Sequence, residues 1–206
     1  MKSNSKYNPI TVISSTSKCL SSGNQIIEIK EAVKFNLQNE PLTFNLGLLL
    51  TDEINTKSDS SPTEIITAIK VFGNAISMNL SRDDSWYNVA QLKQKLNDID
   101  GAVSAYKQTI EITFNSEVAS ASYTNLIELL LSKNRIEEAA MYCNNYVNQH
   151  PNNEYAWLCM GVLLRETNDN MNWSSLCFQN ALKLSNNTNT VALTNLGKYC
   201  TTKRKH

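Results

Sequence analysis

The chain has 206 residues, 19 basic and 19 acidic side chains, and a formal net charge of zero. That balance offers no basic face to a phosphate backbone, so no nucleic-acid partner is expected. No apolar run approaches the ~18 residues that cross a bilayer, so no membrane partner is expected either. An apolar content of 41% with only six Gly and four Pro suits an α protein, either one domain or one short repeat array.

Residues 1–24 are Ser-rich, carry lysines without any acid, and lack the continuous apolar core of a secretory signal. They read as a disordered tail. An organellar import sequence is the less favoured alternative, because Arg is absent and amphipathicity is poor. A helix follows at 25–38, within NQIIEIKEAVKFNLQ, as the second helix of a worn repeat or as an N-terminal cap. The first clear unit spans 40–79. Leu46, Gly47 and Leu50 belong to its first helix, and Ala68, Phe72 and Ala75 to its second. Between them, residues 52–62 read as a long polar surface loop.

The pattern is plainest at 120–151, YTNLIELLLSKNRIEEAAMYCNNYVNQHP with the residues just before it. An apolar helix runs to Leu131, Ser-Lys-Asn-Arg breaks it, a second helix starts at Ile136, and Pro151 closes the unit. Asn134 stands where a left-handed helix cap is needed, a conformation that Asn tolerates. The same skeleton recurs upstream at 83–116. There Trp86 stands for Tyr123, Val89 and Ala90 for Leu126 and Ile127, Asn97 for Asn134, Ala102 for Ala139 and Tyr106 for Cys143. It recurs downstream at 154–186 through Trp157, Met160, Gly161, Leu164 and the turn residue Asn168. One extra residue then aligns Ser174, Phe178 and Ala181. Leu193, Leu196, Gly197 and Cys200 begin another unit in a last helix at 188–202.

This skeleton resembles the tetratricopeptide repeat (TPR) family, whose period is about 34. The resemblance implies an all-α, right-handed solenoid of helical hairpins over residues 25–206, with three full hairpins and flanking helices. The last helix would act as a cap with a polar face. Small residues at the eighth and twentieth places (Gly47, Gly161, Gly197; Ala68, Ala102, Ala139) would let paired helices approach. Trp86, Phe72, Tyr106, Trp157 and Phe178 would fill the groove between them. Three residues depart from the family pattern: Thr109 where Ala is usual, Phe114 where Pro is usual, and Trp173 near the second Ala.

On this frame Asn45, Asn88, Asn125 and Asn195 all take the sixth place, and Cys159 interrupts the series. In the family the first helix of each hairpin lines the concave surface, with the second and sixth residues facing inward one turn apart. A ladder of amides would grip both the N–H and the C=O of an extended peptide. Asn at this place equally satisfies neighbouring backbone or water, and the residues alone leave both readings open. The NLG rungs resemble the TPR arm of protein O-linked N-acetylglucosamine transferases, in which ladder asparagines grip substrate peptides. No glycosyltransferase domain follows here. A second family design, the carboxylate clamp of chaperone-binding proteins, finds Asn88 and Asn125 in place. Its cationic positions hold Asp84, Tyr155 and Cys159, and Asp84 would repel a carboxylate.

Chemistry finds little to stand on. The two histidines are His150 beside Pro151, read as a loop residue capping carbonyls, and the terminal His206. Cys143, Cys177 and Cys200 fall at packing positions, whereas Cys159 should face the groove. Glu137 and Glu138 open a helix, where acids suit the dipole. No Walker, GxGxxG, HExxH or zinc spacing occurs. With Cys19 the cysteines number five and form no CxxC, which predicts no disulfide framework and a reducing, cytoplasmic setting. The sequons at Asn79, Asn172 and Asn186 carry no weight there. The expected function is a non-catalytic scaffold with no cofactor, metal or small-molecule substrate. It would bind a protein or peptide in a groove lined by Asn45, Asn88, Asn125, Tyr155, Cys159 and Asn195. The alternatives are a truncated recognition arm of a glycosyltransferase-like protein, a co-chaperone, and a structural subunit of a larger complex.

Overall fold

The computed structural model describes residue 27 and residues 39–57, 59–113, 116–167 and 171–203. The expected tail, most of the expected helix at 25–38, Phe114 and Asn168 lie outside them. Among the described residues stand nine helices in series and no strand. They are α1 (Glu40–Thr56), α2 (Pro62–Met78), α3 (Asp83–Lys95), α4 (Ile99–Ile112), α5 (Ser116–Ser132), α6 (Ile136–Gln149), α7 (Glu154–Glu166), α8 (Met171–Leu184) and α9 (Thr190–Lys203).

Local chemistry sets their ends. Asn39 caps α1 by accepting the Leu42 N–H at 3.0 Å. Ser61 and Glu64 form a reciprocal capping box at the start of α2, with Pro62 in its first turn. Asn97 and Asn134 end α3 and α5 in the left-handed region, at φ 58° and 57°. After Asn134, the Arg135 N–H reaches back to the Leu130 carbonyl at 2.9 Å and the Asn134 N–H to Leu131 at 3.0 Å, which satisfies carbonyls the helix leaves open. Successive turns are also tied to one another. Lys133 donates to the Asn97 side chain at 3.1 Å, and Arg135 pairs with Asp100 at 2.7 Å.

The polar stretch 52–62 is not the long loop that its composition suggests. α1 runs on to Thr56, and the link to α2 covers only 57–61. The cause is Ile54, 3% exposed, which extends the apolar stripe of Leu46 and Leu50 by one more turn. Lys57 then bridges Glu53 and Glu64, at 2.7 and 2.8 Å, and draws the two helices together. The unit read at 40–79 is thus a hairpin with a short link, like those at 83–116, 120–151 and 154–186.

Each helix packs on the next. In addition α3 touches α5, and α5 touches α7, while no second helix makes comparable contact with another second helix. The first helices therefore line the tighter, concave side, and the second helices form the outer wall. Inside the hairpins, size is matched closely. A Cβ on Gly47 would lie 2.6–2.9 Å from the Phe72 ring, and one on Gly161 2.7–3.0 Å from Phe178. Ala68, Ala102 and Ala139 are wholly buried. Tyr123 and Tyr146 stack at 4.6 Å between centroids with their planes 5° apart. Thr109 fits its small-residue site because its hydroxyl donates to the Ala105 carbonyl at 3.0 Å. Ser174 takes the small-residue place in α8 and donates to the Gly161 carbonyl at 2.7 Å, which leaves Trp173 60% exposed.

The core falls into two clusters. One runs from α1 to α7 and includes Phe44, Phe72, Tyr106, Leu126, Tyr146, Cys159 and Leu163. The other joins α7, α8 and α9 through Leu158, Phe178, Ala181, Leu182 and Ala192.

Candidate functional site

The inner face is built from residues three or four apart along α1, α3, α5, α7 and α9, which stack on one side of each helix. Its centre is a polar network between α3 and α5. The Tyr87 hydroxyl accepts from the Gln91 amide and from the Asn125 amide, both at 3.0 Å. Two N–H donors occupy the two lone pairs of that oxygen, so its own proton is left to donate. Asn88 donates to the Asp84 carbonyl one turn back at 2.7 Å, which fixes its rotamer. With their nitrogens so engaged, Asn88 and Asn125 hold their oxygens as acceptors.

Two carboxylates stand beside this network. Burial, and then the charge of Asp83, raise the Asp84 pKa, with Arg82 opposing. Glu128 is exposed on α5, and partial loss of its water raises its pKa. Its field also reaches inward and helps to raise the pKa of Tyr106 and Cys159.

The residues singled out from the sequence divide into three groups. Asn88 and Asn125 meet in the network just described. Asn45 is half-buried on α1 and its side chain bonds to no described residue, and Tyr155 is 47% exposed at the start of α7. Asn195 and Cys159 serve structure instead. Asn195 is 6% exposed, donates to the Val191 carbonyl at 3.0 Å, and accepts from the Arg165 guanidinium. Cys159 is 5% exposed rather than open to the groove, because its small side chain sits down between α5 and α7, 4.0 Å from the Thr124 hydroxyl. Burial pushes its thiol up to about 12, so no thiolate forms near neutral pH.

Sequence reasoning passed over Tyr87, Gln91 and Glu128. The signal was available: 84, 87, 88 and 91 share one helical face, and Glu128 lies three residues beyond Asn125 on its own helix. His150 does not cap carbonyls with its ring. The ring stands edge-on to Tyr123 and Tyr146 at 6.1 and 5.7 Å, and its backbone N–H closes α6 on Tyr146. No group of three or more metal-binding side chains forms among the described residues.

No family model matches the chain, and no curated protein is significantly similar to it in sequence. Solved structures are similar in fold. MamA aligns at 16% identity with a TM-score of 0.63, over 80% of this chain and 89% of that one. YrrB, a TPR protein with an unusual peptide-binding site, aligns at 14% identity and 0.59, over 85% and 84%. The Cut9–Hcn1 hetero-tetramer of the APC/C aligns at 18% and 0.61, over 87% of this chain and 33% of that one. Hairpins closed by left-handed asparagines, glycines under phenylalanine rings and these similarities agree: the chain has the tetratricopeptide-repeat fold.

Proposed function

We propose that the chain is a non-catalytic protein-interaction scaffold that holds an extended peptide segment against the inner face of α3 and α5. The observation that carries this reading is the Tyr87 hydroxyl, fixed by the Gln91 and Asn125 amides with its proton left to donate. A phenol donor beside two amide acceptors matches the alternating C=O and N–H of a peptide backbone. Each such bond contributes about 1 kcal/mol net, so affinity needs several together with side-chain contacts. Asp84 and Glu128 have raised pKa values and, once ionised, add negative charge, which favours segments with Lys or Arg and disfavours acidic C-termini. YrrB, with its peptide-binding site on the same fold, supports the reading by analogy. We place the protein in the cytoplasm, on the free thiols of Cys143, Cys159 and Cys177.

The test is partner capture from native lysate with wild type, Tyr87→Phe and Asn88→Ala/Asn125→Ala, after circular dichroism shows equal folding. Tyr87→Phe keeps the ring and removes only the hydroxyl. Partners that bind wild type and are depleted several-fold with both variants support the groove. Partners retained by both variants move the function to the outer wall or the ends, as in a fixed subunit of a larger assembly.

A further inference from the structure

The inner face changes character between α3 and α7. Its side chains come from the second, fifth, sixth and ninth places of each first helix, three or four residues apart. On α3 these are Asp84, Tyr87, Asn88 and Gln91, all polar. On α5 they are Ala121, Thr124, Asn125 and Glu128, polar at three of the four. On α7 they are Tyr155, Leu158, Cys159 and Val162, with no charge and no amide among them. Leu158 and Cys159 are sunk between the helices, whereas Tyr155 is 47% exposed and Val162 half-buried.

This apolar stretch is not a product of the end of the array. α7 is backed by α6 and α8, is flanked by α5, and is followed by α9. It is also continuous with the polar half. The Thr124 hydroxyl lies 4.0 Å from the Cys159 thiol, and the charge of Glu128 is felt at that thiol. Arg165, three residues beyond Val162, is taken up by Asn195 and Glu166 and so does not offset the acidic half.

We propose that the groove selects a two-part extended segment of a partner protein, in which a Lys or Arg meets Asp84 and Glu128 and an aromatic or aliphatic side chain rests on Tyr155 and Val162. The inference deepens the groove reading given above and rests on it. The amide and phenol groups of α3 and α5 hold backbone of any sequence, and the charges beside them choose a cation. Tyr155 adds what that half lacks, a large apolar surface with a polar tip, the kind of side chain enriched where proteins meet. Neighbouring helices pack roughly 8–10 Å apart, and an extended chain advances ~3.3 Å per residue. From Glu128 to Val162 is one such step and from Asp84 to Tyr155 two, so about three to six residues separate the cation from the apolar side chain.

The probe is a displayed library of random unstructured peptides, selected against the full chain at mildly alkaline pH, where both carboxylates are ionised. Selected sequences should pair Lys or Arg with Phe, Tyr, Leu or Ile at that separation. Tyr155→Ala should lose the apolar preference and keep the basic one, and Asp84→Asn/Glu128→Gln should do the reverse. Val162→Thr, of the same shape, should act in the direction of Tyr155→Ala. All these side chains are exposed or half-buried, so circular dichroism should show wild-type helicity. A labelled synthetic peptide of the wild-type consensus, titrated by fluorescence anisotropy, should bind Tyr155→Ala roughly tenfold more weakly. With the double variant its binding should lose most of its salt dependence. Basic segments selected without an apolar partner, or a consensus unchanged by Tyr155→Ala, would overturn this inference. The groove reading would then stand as long as Tyr87→Phe still weakens binding. No enrichment, or enrichment indifferent to Tyr87→Phe, would remove the groove reading and this inference with it.

Discussion

Single residues in this fold do one of two jobs, and the asparagines show the division. Asn97 and Asn134 turn the chain at positive φ, and the sequence announces both by placing them between an apolar helix and the start of another. Asn186 and Asn187 do the same after α8 without being foreseen, because the run Asn-Asn-Thr-Asn offers four polar residues and no rule for choosing among them. The sixth-place series was legible as a pattern but not as a function. Asn125 reaches across to Tyr87, whereas Asn195 is consumed by Arg165, and only the neighbouring helix decides which. Cys159 misled for the same reason, since periodicity gives a direction but not a depth. Its burial has a measurable consequence. The folded thiol stays neutral up to about pH 12, while an unfolded thiol ionises near ~8.5. The unfolded chain therefore releases its proton first. The stability this thiol contributes is whole below about pH 8.5 and is lost as pH rises toward 12. Burial shifts Cys143, Tyr106 and Tyr146 the same way. Urea midpoints should fall between pH 8 and about 10.5, and Cys159→Ala should flatten that fall. A slope unchanged in the variant would mean that Cys159 is not the group responsible.

Helices pair here through the contrast between a glycine and a ring. Gly161→Ala gains roughly 1 kcal/mol of helix propensity but forces a methyl against the buried Phe178 ring. Overpacking of that kind costs roughly 1–3 kcal/mol, so the net effect is a loss of up to about 2 kcal/mol. Gly197→Ala meets nothing, and should stabilise by about 0.5–1 kcal/mol. Denaturant unfolding of the two variants side by side checks the contrast, and equal effects would refute it. The hairpins themselves could be read from the sequence because small and large residues alternate at fixed places. The helical stretch at 52–56 could not, because Asp52, Glu53, Asn55 and Thr56 mask the one residue that matters, Ile54. The displacement of Trp173 by Ser174 followed from a single extra residue in the turn, which the alignment of Phe178 had already required.

Over the whole molecule, stability is the sum of what each hairpin holds and what it shares with its neighbours. The break between the two core clusters falls within α7, whose Cys159 and Leu163 belong to one and whose Leu158 belongs to the other. α8 and α9 should therefore open as a unit while α1 to α6 stay folded. Native-state hydrogen exchange should give amides in α8 and α9 a lower opening free energy, and a weaker dependence on denaturant, than amides in α5 and α6. A single global value for all helices would disprove the division. This organisation was out of reach of the sequence, because the two clusters are distinguished by which neighbours their residues meet rather than by composition.

The fit of Phe72 to Gly47, and of Phe178 to Gly161, lies wholly inside one hairpin each. Each hairpin is accordingly a closed module with respect to its tightest constraint. Duplicating or deleting a whole hairpin would change the length of the array without creating a ring that has no seat. Exchanging one helix between modules would break the match at once: the Phe178 helix set against Ile127 has no room, and the Cys143 helix set against Gly161 leaves a hole. Such a chain is free to evolve in number of units and confined in their halves. Helix pairs, not helices, are the parts from which it can be lengthened, shortened or rebuilt.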